Sequence, residues 1–466
     1  MRASIVAAAL VAAASLSACT ITPISKPAKK AAAVRINADP YPSTYARYPG
    51  APTVIQGVTV LDGEGGRIER GWVSFADGAV IGIGDGELEA PAGTIVIDGT
   101  GKYVTPGIID VHSHLGDYPS PGVDAHSDGN EATSPSTPEV WAEHSVWPQD
   151  PGFSRALANG GVTALQILPG SANLFGGRSV VLKNVQARTV QGMKFPGAPY
   201  GLKMACGENP KRVYGSKGGP ATRMGNIAVT RATWLKAQDY KRKWDKYEDD
   251  GGDMPSRDLA METLRGVLAG DIIVHNHCYR ADEMAIMIDL SKEMGYKIGT
   301  FHHAVEAYKV ADLLAANGIC GALWADWYGF KMESYDAVSE NIPLVHNAGA
   351  CAIVHSDDAN GIQRLNQEAA KALAAGRRAG IDVSDAVAWT WLSSNPARAL
   401  GIFDRTGSLK PGKMADVVLW NGDPFSVYTR PDKVWIDGAL MYDAANPARR
   451  PVSDFELGQP GEGDVK

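Results

Sequence analysis

The chain has 466 residues, and its 45 Lys and Arg set against 52 Asp and Glu give a net charge of −7. That balance excludes a strongly basic nucleic-acid binder. With 44% hydrophobic and 21% charged residues, the sequence has the apolar content of a large buried core, which excludes global disorder.

The first predicted element is a processing signal. Arg2 precedes an apolar, Ala-rich run from Ile5 to Leu16, too short for a membrane span of about 20 residues. Leu16-Ser17-Ala18-Cys19 resembles the bacterial lipobox, which implies removal of residues 1–18 and lipid attachment to Cys19. Thr20 rather than Asp follows the cysteine, so the same resemblance implies an outer-membrane anchor facing the periplasm. A secretory peptide cut near Ala18, with Cys19 incidental, is the alternative reading. Residues 19–52 carry Pro, Ala, Lys and Ser without a period and predict a flexible linker. Membrane contact is therefore expected through the lipid anchor only.

Between residues 53 and 105, short alternating stretches such as "VTVL" and "WVSFA" separated by Gly and Asp predict a compact antiparallel β-layer. A second set, "ADVVLWNGDPF" and "VWIDGALMYD", falls within residues 402–450, ahead of a tail at 451–466. The two sets predict one small β-sandwich domain formed by both chain ends. Residues 106–401 alternate apolar strand-like runs with amphipathic helices. The runs, from "GIIDVHSH" to "CAIVHSDD", fit the α/β class and a parallel (β/α)8 barrel. "ADEMAIMIDLSKEMG" and "AYKVADLLAANG" show helical apolar spacing and end in Gly, as intervening helices should. The stretch from Asn209 to Asp271 is too long for one link and predicts an extra helix and loop over the barrel mouth. Cys206, Cys278, Cys320 and Cys351 lack CxxC spacing and read as buried small residues, with a single disulfide between neighbouring strands as the alternative.

The chemistry is carried by strand ends. His112 and His114 stand two apart, so a strand turns both imidazoles to one face, as two nitrogens sharing a metal require. His275, His303 and Asp357 end later runs, and a barrel brings all its strand ends to one face. Imidazoles from three strands and a carboxylate from a fourth make a first-row metal site, with zinc the expected ion. Neighbours compete at two strands: His303 is preferred to His302, and His275 to His277, which would then touch substrate. Asp357 is preferred to Asp358 as nearer the strand end. Glu208 at the rim, or Lys203 after carbamylation, could bridge a second metal, and position favours Glu208. Tyr279 and Arg280 follow the fifth strand and could hold a carboxylate. Trp324, Trp327 and Tyr328 could form an aromatic wall, and Asn173 and Arg178 are further candidate contacts. His126, His144, His346 and His355 receive no ligand role.

"YVTPGIIDVHSHLG", the strand-end histidines, "HSDD" and "SSNPARALGIFDRTGSLKPGKMADVVLWNGDP" together resemble the amidohydrolase superfamily, nearest its imidazolonepropionase-like and dipeptidase-like branch. The resemblance implies a distorted (β/α)8 TIM barrel with a small β-sandwich. It implies that His112 and His114 hold a first metal and His275 and His303 a second. Glu208 or Lys203 would lie between, and Asp357 would bind the first metal and move protons. "GLKMACGENPKR" departs from the common carbamylated-lysine pattern. The expected activity is hydrolysis of a C–N amide bond in a small peptide, N-acyl amino acid or cyclic amide, with two Zn2+ per chain. The alternatives are a mononuclear-metal deaminase and a catalytically inactive binding lipoprotein.

Overall fold

The computed structural model describes residues 35–449. The leader, the lipidation site Cys19 and the 451–466 tail lie outside the described residues. Within them the linker expected through residue 52 is docked from its middle onward. Ser43 Oγ donates to the Lys194 carbonyl at 2.6 Å, Thr44 N to the Gln191 carbonyl at 2.9 Å, and the Tyr45 hydroxyl to Asp437 at 2.5 Å. Individual hydrogen bonds from three consecutive residues, not hydrophobic periodicity, fasten this strap, so the sequence pattern carries no sign of it.

Five strands come first: β1 (Thr53–Leu61), β2 (Arg67–Ala76), β3 (Ala79–Asp85), β4 (Ile95–Asp98) and β5 (Tyr103–Pro106). The barrel strands follow as β6 (Ile108–Ser113), β7 (Val162–Ile167), β8 (Phe175–Lys183), β9 (Gly201–Ala205), β10 (Ile273–Cys278), β11 (Ile298–His303), β12 (Cys320–Leu323) and β13 (Cys351–Val354). The chain ends with β14 (Val417–Trp420), β15 (Pro431–Ile436) and β16 (Ala439–Asp443). Strands from both ends form one sheet in the order β16-β15-β14-β5-β1-β2-β3, with β4 also paired to β1. The sheet is mixed where an antiparallel layer was predicted, because β1 runs parallel to β4 along its first half and to β5 along its second. Gly57, at φ +71, and a register shift mark the changeover. Val60, Phe75, Val417 and Trp435 share its apolar core, so neither chain end completes the domain alone.

The barrel sheet runs β6 to β13 in order, every neighbouring pair parallel except those of β8, which lies antiparallel to both β7 and β9. The parallel barrel read from the sequence is therefore corrected at its third strand. The link from Ile167 to Phe175 is shorter than the dozen or so residues a parallel crossover needs, so the chain makes a hairpin there. Between β13 and β6 the barrel is stitched by Asp357 N on the His112 carbonyl at 2.9 Å and by Ser356 N on the Asp110 carboxylate at 3.2 Å. An extra helix is present, Arg223–Asp250, capped by the Thr222 side chain, but it packs along the barrel flank and not over the mouth as predicted, with Trp234 stacked 4.3 Å from Tyr296 and Gln238 Nε2 donating to the Met294 carbonyl at 2.9 Å. Helix Pro151–Gly160 is capped by Asp150, whose other oxygen accepts the Gly116 N–H at 2.9 Å and so steadies the turn after β6.

The four cysteines form two disulfides, Cys206–Cys278 and Cys320–Cys351, where free buried thiols were expected. Register decides this: Cys320 lies directly opposite Cys351, and the Cys206 N–H donates to the His277 carbonyl beside Cys278. The Cα separations of 5.3 and 4.4 Å fall within bridging range. The double variant Cys206→Ser, Cys278→Ser is expected to lose about 2–4 kcal/mol of stability. An unchanged denaturant midpoint would show that the bridge contributes nothing.

Candidate functional site

Strand alternation delivers His112 and His114 to the barrel mouth, where Nε2 of each lies 3.1 Å from Asp357 Oδ1. Asp357 adopts φ 60, which turns it off the end of β13 while its N–H stays on the His112 carbonyl. Its other oxygen is 3.8 Å from His303 Nδ1. Burial raises the Asp357 carboxyl, but the facing imidazoles of His303 and His114 outweigh it and hold the group well below the usual carboxylate range.

His302 and His303 both enter the barrel, contrary to the rule that strand neighbours point oppositely. His303 has φ 69 and Ala304 φ 23, so the strand geometry ends at this residue. His303 takes the rim, its ring 4.6 Å from that of His112, 4.7 Å from His277 and 4.9 Å from His355. His302 lies beneath, its Nδ1 2.9 Å from His112 Nδ1 and its Nε2 2.9 Å from His275 Nδ1. The preference for His275 as a ligand is thereby reversed: its nitrogen is engaged by His302 below the mouth, whereas His277 reaches the rim. The two share a strand face, so how far β10 runs toward the mouth beside β11 decides which of them lies level with His303.

Two site residues escaped the sequence reading. His355 follows β13 directly and stands two before Asp357, the same spacing that identified His112 and His114; its Nε2 accepts the His303 N–H at 3.2 Å. Asp110, two before His112, is fully buried and accepts the His112 N–H at 3.1 Å, Ser356 N and the Ser356 hydroxyl. Burial pushes its carboxyl up to about 7 against those donors.

Of the two bridging candidates, Lys203 reaches the cluster. Its buried amine donates to the Pro169 carbonyl at 2.9 Å and stands 3.5 Å from His112 Nε2. Desolvation pulls it down to about 7. Glu208, favoured from position, instead opens helix Glu208–Tyr214 after Gly207 at φ 82 and lies 3.6 Å from Lys331 Nζ. The left-handed glycine swings the chain away before Glu208 can point inward.

The substrate candidates divide likewise. Tyr279 is buried, its ring stacked 5.5 Å from His303, and burial pushes its phenol up. Arg280 does not face the site: it pairs bidentately with Asp282 at 2.9 and 2.8 Å on the solvent side. Trp324 and Trp327 do form a wall, while Asn173 pins the Glu131 and Ser134 carbonyls, and Arg178 packs over Trp141 and bonds Thr263. Neither Asn173 nor Arg178 is placed as a substrate contact.

A metal fits these residues. Ligand atoms of His112, His114 and Asp357 lie within 4.8 Å of one another, as do those of His112, His303 and His355. The buried Nδ1 atoms of His277, His303 and His355 have no hydrogen-bond partner. Such orphaned nitrogens are costly in an apolar interior unless something coordinates them. Burial holds His112, His277 and His303 well below the usual imidazole range and brings His355 to about 4, so all present neutral donors.

Comparison with known proteins follows the same lines. The Amidohydrolase family model matches residues 103–441. The amidohydrolase tasK of Hapsidospora irregularis is 32% identical over 435 residues, covering 84% of this chain but 43% of that protein. A dihydroorotase of Pelotomaculum thermopropionicum is 23% identical over 79% of this chain and 89% of its own length. Among solved structures, an amidohydrolase from Thermotoga maritima MSB8 superposes with TM-score 0.77 at 35% identity, covering 84% of this chain and all of that one.

Proposed function

The chain belongs to the amidohydrolase family, and we propose that it is a zinc-dependent hydrolase of a C–N amide bond in a small peptide, N-acyl amino acid or cyclic amide. The observation that carries this reading is the convergence of His112, His114, His277, His303, Lys203 and Asp357 on one barrel rim. His112, His114 and Asp357 would hold one ion, and His277 and His303, with Lys203 as a carbamate, a second. A divalent ion there supplies Lewis-acid polarisation of the amide carbonyl and brings the pKa of its water from 15.7 to about 7.

The protein's own groups do the rest. Asp357 is ionised at neutral pH and anchored through its N–H, so it can take the proton of the attacking water and return it to the leaving nitrogen. The C–N bond breaks as the new C–O bond forms, leaving a carboxylate and an amine. His302 fixes the ring of His112 from behind, and Asp110 fixes the backbone that carries it. The Tyr279 and Trp324 rings shield the rim from bulk water on one side.

In the cell envelope, the lipid anchor at Cys19 would place this activity at the outer membrane, facing the periplasm. The two disulfides support an oxidising compartment. Zinc-loaded protein is expected to cleave members of a panel of dipeptides, N-acyl amino acids and cyclic amides, losing activity to a chelator and regaining it with zinc. Ammonia release from a ring substrate at one zinc per chain would replace this reading with a deaminase. Tight zinc binding to no variant or wild-type preparation would leave only a binding lipoprotein.

A further inference from the structure

We propose that the mouth end of the barrel rests on a lipid bilayer, with the loop after β12 and the start of helix Arg223–Asp250 as the edge that touches lipid. The direction of the tether rests on the Cys19 anchor proposed above, whereas the contact surface stands on the described residues alone.

The strap beside β8 sets that direction. At the seam with the small domain, the Tyr48 hydroxyl donates to the Gln186 carbonyl and the Tyr45 hydroxyl to Asp437. Toward its N-terminus the strap packs Tyr41 edge-on against Trp141, ring centres 5.7 Å apart, and then offers the Ala38 carbonyl to Arg178 Nη1 at 3.3 Å. It has by then followed β8 from beyond Lys183 to near Phe175. Phe175 pairs with Met204, close to the C-terminal end of β9, and the C-terminal ends of the parallel strands form the mouth. The chain preceding the strap therefore sets off from the mouth side, away from the small domain. Residues 20–34 can reach at most about 50 Å when fully extended, so an anchor at Cys19 keeps this side close to lipid.

The surface found there suits a bilayer. On the loop leaving β12, Met332 is 83%, Tyr335 74% and Phe330 59% exposed, and Trp327 is partly exposed beside them. Met224, 80% exposed, joins this edge because Arg223 before it is paired with Glu333 of the same loop. Arg212, close enough for its charge to act on Lys331, adds an exposed cation. Large apolar side chains grouped in water mark a surface that something covers. Aromatic rings with a cation beside them settle at the headgroup level of a membrane. Among the described residues no helix is long and apolar enough to cross a membrane, so the contact is made by surface side chains.

The test places full-length lipidated protein in vesicles of phosphatidylethanolamine and phosphatidylglycerol with brominated acyl chains and reads tryptophan fluorescence. Wild type is expected to be quenched relative to unbrominated vesicles, and Trp327→Phe to lose most of that quenching. Phe330→Ser with Met332→Ser should lose it too, whereas Tyr428→Ser, at an exposed residue of the small domain, keeps it. The mature chain made without its leader and carrying Cys19→Ser should still partition onto the vesicles, at least about tenfold more weakly once Phe330 and Met332 are replaced. No partition by that unlipidated chain, no quenching in wild type, or quenching that survives Trp327→Phe overturns the proposal; lipid found on Cys19 by mass spectrometry would then leave the anchor standing. Partition that depends on Phe330 and Met332, with no lipid on Cys19, does the reverse: the anchor falls and the surface remains.

Discussion

His112→Ala is expected to abolish tight zinc binding and amide hydrolysis together, with turnover at the background of metal-free protein. Both candidate ligand groups contain this one imidazole, so its removal opens both. Asp357→Asn should behave differently. The amide keeps an oxygen for His112 and His114 but cannot accept a proton, so kcat is expected to fall by about 10²–10⁴ with part of the zinc retained. His302→Phe forms the third arm: it leaves every rim ligand in place and removes only the contact behind His112. Its expected cost is about 10–100-fold in zinc affinity. Zinc content by elemental analysis, alongside turnover, orders the three variants. Near-normal turnover in Asp357→Asn would remove that carboxylate from proton transfer, and full zinc occupancy in His112→Ala would move the metal centre elsewhere.

What the sequence discloses about this site follows from periodicity, and what it conceals follows from departures from it. The two-residue spacing of His112 and His114 is a pure strand signal, and the barrel preserves it. His303 breaks the same rule, since its positive φ lets two consecutive histidines enter the interior, a choice no spacing argument reveals. Whether His275 or His277 reaches the rim depends on how far β10 extends beside β11, which is tertiary register. The disulfides depend on register too: Cys320 and Cys351 are far apart in sequence and opposite in space. Glu208 misleads because proximity to a strand end does not set direction, and Gly207 sends the chain outward before it. The inverted β8 was legible in principle, since a short Pro- and Gly-containing link cannot carry a parallel crossover.

The seam between the barrel and the small domain carries the second large effect: Lys183→Met is expected to destabilise the protein by about 3–5 kcal/mol. Lys183 ends β8 with no exposure to solvent, and its ammonium lies 2.9 Å from Asp437 Oδ2 and 3.5 Å from Asp416 Oδ1. Asp416 precedes β14 and Asp437 lies in the turn from β15 to β16, so one barrel lysine gathers two elements of the other sheet. Methionine would fill much of the volume yet leave two carboxylates facing each other without a cation. Burial, and next the charge of Asp416, already raise the Asp437 carboxyl above its ordinary range, and Lys183 is among the groups pulling it back. Without Lys183 the folded-state pKa rises further. A raised folded-state value means that the protonated form is the one the fold tolerates, so the deficit should be smallest at acid pH and grow as pH rises through that value. Denaturant midpoints of wild type and Lys183→Met across this range measure it. Adding Asp437→Asn to Lys183→Met should recover part of the loss and flatten its pH dependence. A pH-independent deficit, or none, would show that packing and not charge joins the barrel to its β-domain.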